Sequence, residues 1–152
     1  EFRRVLFRSM KNWLDWLRNW RGQVSHPAHL KTGVAGEKAA AAELQRLGLQ
    51  LLVSNYRSDS GEIDLVCRDQ DCMAFVEVKT RSSEDWTRPA TAVDRKKQRR
   101  ICLCAMDYLR ELGNPDVRFR FDIVEVLMDG RQAREIRHVP NAFPLAPGLR
   151  YR

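Results

Sequence analysis

Residues 61–81, GEIDLVCRDQDCMAFVEVKTR, decide the fold because they read as two strands joined by a tight turn. Apolar residues alternate and cluster over 62–68 and again over 72–80, and the polar residues 69–71 separate the two runs. Antiparallel pairing of such runs places directly opposed residues on the same face of the sheet. We therefore predict a β-hairpin whose register is set by the pattern of apolar residues.

One register of this hairpin separates apolar from charged side chains. It places Asp64 opposite Glu77, with Cβ atoms roughly 4.5–5.5 Å apart. The first face is aliphatic and collects Ile63, Leu65, Val76 and Val78. The second face is charged and collects Glu62, Asp64, Glu77 and Lys79. A shift of one residue would mix the two sets, so we expect this register.

The charged face of the hairpin predicts a cation site. Two opposed carboxylates repel each other, and a divalent cation relieves that repulsion. Oxygen ligands of this kind suit Mg²⁺ or Mn²⁺, which keep several waters and also bind phosphates. Lys79 follows Glu77 on the same face and would contact a phosphate or an attacking water. The alternative is an ordinary Glu62–Lys79 ion pair, with Asp64 solvated on an open sheet face.

The sequence on either side of the hairpin alternates between helix and strand patterns. An alanine-rich helix at 34–47 ends at Gly48, and a second helix at 94–112 carries an apolar stripe before Gly113. Its predicted core residues are Ile101, Ala105, Tyr108, Leu109 and Leu112. The remaining predicted strands are 49–56, 117–127 and 134–139.

Length and composition indicate one domain. A chain of 152 residues with 43% hydrophobic residues can bury one core and is short for two. We assign that domain to 33–143 and expect 144–152 to be a tail without regular structure. Residues 1–9, EFRRVLFRS, have no periodic pattern and resemble a translated sequencing adapter joined ahead of Met10.

Residues 10–32 read as an N-terminal extension made of a short amphipathic helix and a loop. Trp13, Leu17 and Trp20 recur at helical spacing with charged residues between them. Such a helix would bind a membrane surface or a partner, or would rest on the domain as an accessory helix. We favour an accessory helix or a loosely ordered tail over binding to a membrane or a partner, because one short amphipathic stretch carries little information.

Charge and motif content narrow the classes of function. A formal net charge of +7 and a pI near 9.6 favour polyanionic partners such as nucleic acid. The four cysteines lack zinc-site spacing and read as reduced thiols. No nucleophile–histidine motif or glycine-rich phosphate loop is present. Without a secretory signal or a long apolar stretch, the expected location is the cytoplasm.

Four segments together resemble a known family. They are GEKAA at 36–40, SNYRSDSGEIDLV at 54–66, FVEVKTR at 75–81 and RFDIV at 120–124. These residues resemble the YraN-like family, which is similar to Holliday-junction resolvases within the PD-(D/E)XK restriction-endonuclease-like superfamily. The resemblance implies an α/β fold in which α-helices flank a mixed central β-sheet. It also implies Mg²⁺- or Mn²⁺-dependent hydrolysis of DNA, with branched DNA as a substrate and a homodimer as the assembly.

The resemblance also assigns roles to residues. Asp64 and the Glu77-Val78-Lys79 triplet match the superfamily motif, and Glu37 matches a further metal ligand on the first helix. The alternative role for Glu37 is to complement the helix dipole only. We therefore expect Asp64, Glu77, Lys79 and Glu37 to be catalytic, with the three carboxylates holding the metal. The competing interpretation is a non-catalytic nucleic-acid-binding or repair-assembly protein that keeps the fold.

Basic residues around the predicted site are candidates for phosphate binding. Arg57 and Arg81 flank the hairpin residues and would bind phosphates, or would serve as surface ion-pair partners. A basic run opens the second helix, where positive charge opposes the helix dipole, so phosphate contact explains it better. The nucleic-acid-binding candidates in this run are Lys96, Lys97, Gln98, Arg99 and Arg100. By the resemblance, Gln98 would also support the metal site.

Overall fold

The computed structural model describes residues 31–82 and 93–151, which form two helices and five strands. The helices are α1 (Lys31–Arg46) and α2 (Arg95–Glu111). The strands are β1 (Gln50–Ser58), β2 (Gly61–Asp69), β3 (Cys72–Arg81), β4 (Arg118–Asp129) and β5 (Gln132–Phe143). Every helix and strand predicted in this part of the chain is present, and β5 is longer than predicted.

The five strands form one sheet in the order β1-β2-β3-β4-β5. β3 and β4 run parallel, whereas the other neighbouring strands are antiparallel. Parallel neighbours need a crossover connection, and α2 lies in the connection between β3 and β4. The predicted α/β fold, a mixed central sheet flanked by helices, is therefore confirmed.

Apolar side chains fill both faces of the sheet. On one face, Leu65 and Val76 pack in a cluster with Leu44 of α1. On the other face, Phe75 packs in a cluster with Tyr108 of α2, and their ring centroids are 5.9 Å apart in an edge-to-face arrangement. Removing both faces from water is the main driving force for this three-layer packing.

Local signals in the sequence place the ends of α2. Asp94 is the N-cap, and its side chain accepts a hydrogen bond of 2.8 Å from the backbone N–H of Lys97. The helix ends before Gly113, whose φ of +82° suits a residue without a side chain. The predicted apolar stripe is confirmed by the burial of Ile101, Ala105, Tyr108, Leu109 and Leu112.

The predicted hairpin register is confirmed over most of its length. The β2–β3 ladder runs from Asp69 opposite Cys72 to Leu65 opposite Val76, as the apolar pattern indicates. It ends there, one residue short of the expected Asp64–Glu77 pair. The two strands separate at the residues that carry the predicted chemistry.

One face assignment in the hairpin was wrong. Ile63 packs on the α2 side of the sheet, whereas Leu65, Val76 and Val78 pack on the α1 side. Regular alternation would place Ile63 and Leu65 on the same face. The strand changes face at Asp64 because its backbone departs there from regular pairing.

Several other predictions concern parts of the chain around the sheet. The expected adapter at 1–9 and residues 10–30 of the predicted extension lie outside the described residues. Within 31–82 and 93–151, no helix is long and apolar enough to span a membrane.

Residues 144–151 lie against the core through Leu145, Ala146, Leu149 and Tyr151. All four cysteines are free thiols, and three are buried.

Candidate active site

Asp64 marks the point where β2 and β3 separate. Its Oδ2 atom accepts a hydrogen bond of 2.7 Å from the backbone N–H of Val78. Val78 lies beyond the last paired residues of the β2–β3 ladder, so the carboxylate replaces a carbonyl of the neighbouring strand as the acceptor. The side chain of Asp64 is thereby held beside β3, next to Glu77.

Glu77 is a buried carboxylate beside two lysines. Its side chain is 4% exposed, and its Oε1 atom lies 3.4 Å from Lys97 Nζ and 3.6 Å from Lys79 Nζ. Among the described residues, its Oε2 atom has no hydrogen-bond partner. A buried polar atom without a partner costs about 1–3 kcal/mol. Glu77 therefore has one oxygen beside two lysines and a second, buried oxygen without a partner among the described residues.

The pKa of Asp64 is raised by burial and by the neighbouring carboxylates. Burial, and after it the charge of Glu77, raise the pKa of Asp64 from 3.8 to about 7. The hydrogen bond from Val78 opposes this rise in pKa, as does the positive charge of Lys97, while Glu37 adds to it. Glu77 and Glu37 thus both repel the charge of Asp64, and Lys97 partly offsets that repulsion. The predicted repulsion of the Asp64–Glu77 pair is present in the folded chain.

Glu37 reaches the same region from α1. Its Oε2 atom accepts a hydrogen bond of 3.0 Å from Asn55 Nδ2. The first turn of α1 contains no acidic residue, and the helix dipole acts mainly on its first turn. The dipole interpretation of Glu37 therefore loses support, because Glu37 lies in the second turn.

The close approach of α1 to β3 depends on a glycine. A Cβ atom at Gly36 would lie 2.0 Å from the Oγ1 atom of Thr80, far inside contact distance. Gly36 precedes Glu37, and Thr80 follows Lys79. The absence of a side chain at position 36 therefore brings the start of α1 against the end of β3 that carries the site.

Two recesses beside Glu77 are rich in lysine and arginine. The first, of about 300 Å³, is lined by Lys79, Asp94, Lys96, Lys97 and Arg100. The second, of about 250 Å³, is lined by Arg57, Ser58, Gly61, Glu62, Lys97 and Arg100. Because they share Lys97 and Arg100, the two recesses are neighbours on the surface. We name their basic residues the cationic track: Arg57, Lys79, Lys96, Lys97 and Arg100.

Two of the predicted basic or polar candidates on α2 are directed elsewhere. Arg99 donates to the carbonyl of Pro147 at 3.2 Å, on the side of the C-terminal segment. Gln98 donates through Nε2 to the carbonyl of Val93 at 2.9 Å and so supports the start of α2. Neither of these side-chain bonds is made to the carboxylates of the site. On α2, the residue beside Glu77 is Lys97, one position before Gln98.

Arg81 and the buried Glu125 form an ion pair that the sequence analysis did not include. Arg81 Nη2 lies 3.4 Å from Oε1 of Glu125, which is fully buried on β4. Glu125 is opposite Lys79 in the parallel β3–β4 register, one strand away from Glu77. The sequence does contain a signal for Glu125, because this glutamate interrupts the largely apolar run FDIVEVLM at 121–128.

The charged residues of the hairpin do not form the ordinary pair considered as the alternative. Glu62 pairs with Arg57 at 3.4 Å, and Lys79 pairs with Glu77. Asp64 is hydrogen-bonded to the backbone instead of standing solvated on an open face. The geometry thus differs from that of an exposed cross-strand ion pair.

The site offers carboxylates for a divalent cation but not a complete set of protein ligands. Within the described residues, no cluster of three or more acidic, histidine or cysteine side chains has the geometry of a complete metal site. Mg²⁺ does not need such a cage, because it is commonly held by one or two carboxylates together with waters and substrate phosphates. Asp64 and the unpartnered Oε2 of Glu77 are the two carboxylate ligands that such a site would use.

Comparison with known proteins identifies the family. The sequence profile of the Uncharacterised protein family UPF0102 matches residues 36–126. The chain belongs to the UPF0102 family. This confirms the resemblance to YraN-like proteins, and the matched segment contains most of α1, all of β1, the hairpin and α2, and most of β4.

Relatives from distant bacteria match most of the chain. A UPF0102 protein of Geobacter sulfurreducens is 42% identical over 126 residues, which cover 82% of this chain and 97% of the relative. One from Rhodococcus jostii is 41% identical over 115 residues, covering 76% and 98%. One from Chlorobaculum tepidum is 40% identical over 116 residues, covering 73% and 90%.

Proposed function

We propose that this UPF0102 protein is a divalent-metal-dependent endonuclease that hydrolyses phosphodiester bonds in DNA. The observation that carries the proposal is the site around Glu77. A buried carboxylate keeps one oxygen without a partner, beside a second carboxylate of raised pKa and two lysines. Buried carboxylate oxygens usually have a partner, so the unpartnered Oε2 atom of Glu77 supports a water or an ion at this position.

Each residue of the site has a distinct task in this proposal. Asp64 and Glu77 would hold Mg²⁺ or Mn²⁺, and Glu37 would be a further ligand. A bound divalent cation supplies a water of lowered pKa and neutralises charge that develops on the phosphate. Lys79 would orient the attacking water and stabilise negative charge in the transition state. Lys97 would hold Glu77 in place and contact the phosphate from the opposite side.

The cationic track supports DNA as the substrate. Its five basic residues extend from Glu77 along α2 to the turn between β1 and β2. Such a track binds consecutive phosphates of one strand through charge and carries little sequence information. The resolvase resemblance favours branched DNA, and a homodimer would place two sites on opposed strands.

The test is a cleavage assay on linear, flapped and four-way DNA with Mg²⁺ or Mn²⁺. The expected result is metal-dependent cleavage by the full chain and its loss in Asp64→Asn and Lys79→Ala. Asp71→Asn is the matched control, because it removes one carboxylate at the far end of the same hairpin, where Asp71 pairs with Arg118. Equal DNA binding by all four proteins without cleavage by any of them would reject the endonuclease.

A second candidate is a non-catalytic nucleic-acid-binding protein of the same fold. The observation in its favour is that Lys97 and Lys79 already compensate the charge of Glu77 without a metal. This candidate requires only the cationic track. It predicts that Lys96→Ala and Arg100→Ala weaken DNA binding, whereas Asp64→Asn leaves binding unchanged with or without metal.

A further inference from the structure

Asn55 has an unusual backbone conformation in the middle of β1. Its φ is +54°, in the left-handed region of backbone conformation. Residues other than glycine, asparagine and aspartate rarely adopt this conformation. In the β1–β2 ladder, Ser54 is opposite Leu65 and Tyr56 is opposite Ile63. Asn55 therefore lies across from Asp64, between these two pairs.

The strands change face at this position. Leu65 packs on the α1 side of the sheet, whereas Tyr56 and Ile63 pack on the α2 side. The left-handed residue in β1 and the irregular Asp64 in β2 let both strands turn over together. A left-handed conformation in a non-glycine residue persists only where the surrounding structure favours it, and such residues cluster at functional sites.

The side chain of Asn55 binds a carboxylate of the candidate site. Its Nδ2 atom donates to Glu37 Oε2 at 3.0 Å, in a partly buried bond between β1 and α1. Glu37 in turn interacts electrostatically with Asp64, which lies across the ladder from Asn55. One residue therefore connects the helix that carries Glu37 with the strand irregularity that carries Asp64.

We propose that Asn55 is a positioning residue that orients Glu37 toward a divalent cation held by Asp64 and Glu77. This inference rests on the proposed metal-dependent function. The residue must adopt a left-handed conformation and also donate a hydrogen bond to a carboxylate. Glycine meets only the first condition, and aspartate would bring a negative charge against Glu37. Asparagine meets both, which explains its presence at this point of β1.

The test is isothermal titration calorimetry of Mn²⁺ into the full chain, without DNA. Asn55→Gly keeps the backbone conformation and removes the amide. Outer hydrogen-bond partners of metal ligands typically contribute 10–100-fold in affinity, so we expect Mn²⁺ to bind at least about tenfold more weakly to this variant. Asn141→Gly is the matched control, because Asn141 also has a left-handed φ, of +52°, but lies on β5. The control should bind Mn²⁺ as the wild type does.

A double-mutant cycle separates positioning from general destabilisation. If Asn55 acts through Glu37, Asn55→Gly should have no further effect on affinity in a Glu37→Gln background. Additive effects, or equal losses in Asn55→Gly and Asn141→Gly, would overturn the proposal. If Asn55→Gly does not fold, Asn55→Asp replaces it in the same cycle with the same expected coupling.

The failure of this inference differs from the failure of the proposed function. Unchanged affinity in Asn55→Gly, with Mn²⁺ binding to the wild type, rejects the role of Asn55 and leaves the metal site intact. No Mn²⁺ binding to the wild type rejects both. Weaker binding in Asn55→Gly alone, with coupling to Glu37→Gln, supports both.

Discussion

The backbone N–H of Val78 donates to the carboxylate of Asp64 at 2.7 Å, at the point where β2 and β3 stop pairing. This hydrogen bond marks the end of the β2–β3 ladder and also holds a carboxylate of the candidate site in place. The strands separate so that a side chain can occupy the place of a ladder carbonyl. Asp64 thereby lies half-buried beside Glu77, where burial and the charge of Glu77 make its own negative charge unfavourable.

The burial of Asp64 predicts a pH dependence of stability in the metal-free protein. Its pKa is raised from 3.8 to about 7 in the folded chain, so the folded state keeps a proton that the unfolded state releases. The free energy of unfolding should therefore fall as the pH rises from about 4 through 7. Asp64→Asn removes this loss and should be more stable than the wild type at pH 8, by roughly 4 kcal/mol.

Urea denaturation with a chelator at pH 4 and pH 8 measures this difference. At pH 4 the wild type and Asp64→Asn should have similar free energies of unfolding, because Asp64 is protonated in the folded wild type. Asp71→Asn serves as the control, since Asp71 is exposed and its pKa is lowered by Arg118. A wild type as stable as Asp64→Asn at pH 8 would contradict the prediction.

Addition of Mg²⁺ should raise the free energy of unfolding, because a bound cation would offset the repulsion between Asp64 and Glu77. At a free Mg²⁺ concentration ten times the Kd, the gain in stability is about 1.4 kcal/mol, which corresponds to a few degrees in Tm. Thermal denaturation with and without Mg²⁺ should show this rise in the wild type and in Asp71→Asn. The rise should be absent in Asp64→Asn and Glu77→Gln. An equal rise in all four proteins would indicate binding elsewhere.

Neighbouring arginines on α2 should differ in their contribution to DNA binding. Arg100 lines the cationic track, whereas Arg99 donates to Pro147 on the C-terminal segment. Arg100→Ala should weaken binding and lower the slope of log Kd against log salt concentration by about 1. Arg99→Ala should change that slope much less. Fluorescence anisotropy with labelled DNA at several salt concentrations measures both slopes, and equal slopes would place the DNA elsewhere.

Two glycines of α1 should respond oppositely to alanine. Gly36→Ala places a Cβ atom 2.0 Å from Thr80 Oγ1, so the helix or the strand must shift. We expect a loss of about 1–3 kcal/mol in the free energy of unfolding. Gly33→Ala meets nothing within 4 Å and should gain up to about 1 kcal/mol from helix propensity. Chemical denaturation of the two variants compares them, and a stable Gly36→Ala would refute the close contact.

Much of the fold could be predicted because its signals are local. The apolar alternation of 62–68 and 72–80 is sufficient to set the register that ends at Leu65 opposite Val76. Asp94 and Gly113 delimit α2 through capping preferences that act within one turn. Only the tertiary packing shows that Ile63 lies on the α2 side, because the change of face depends on the left-handed Asn55 on another strand.

The candidate site also has a part that the sequence predicted and a part that depends on tertiary packing. By itself the sequence determined that Asp64, Glu77 and Lys79 belong to one hairpin, since strand periodicity and the apolar pattern are properties of the chain. Only the tertiary structure decided that Lys97 lies beside Glu77 while Arg99 lies beside Pro147. Consecutive helical residues point in different directions, and the direction that faces the sheet depends on how the whole helix packs.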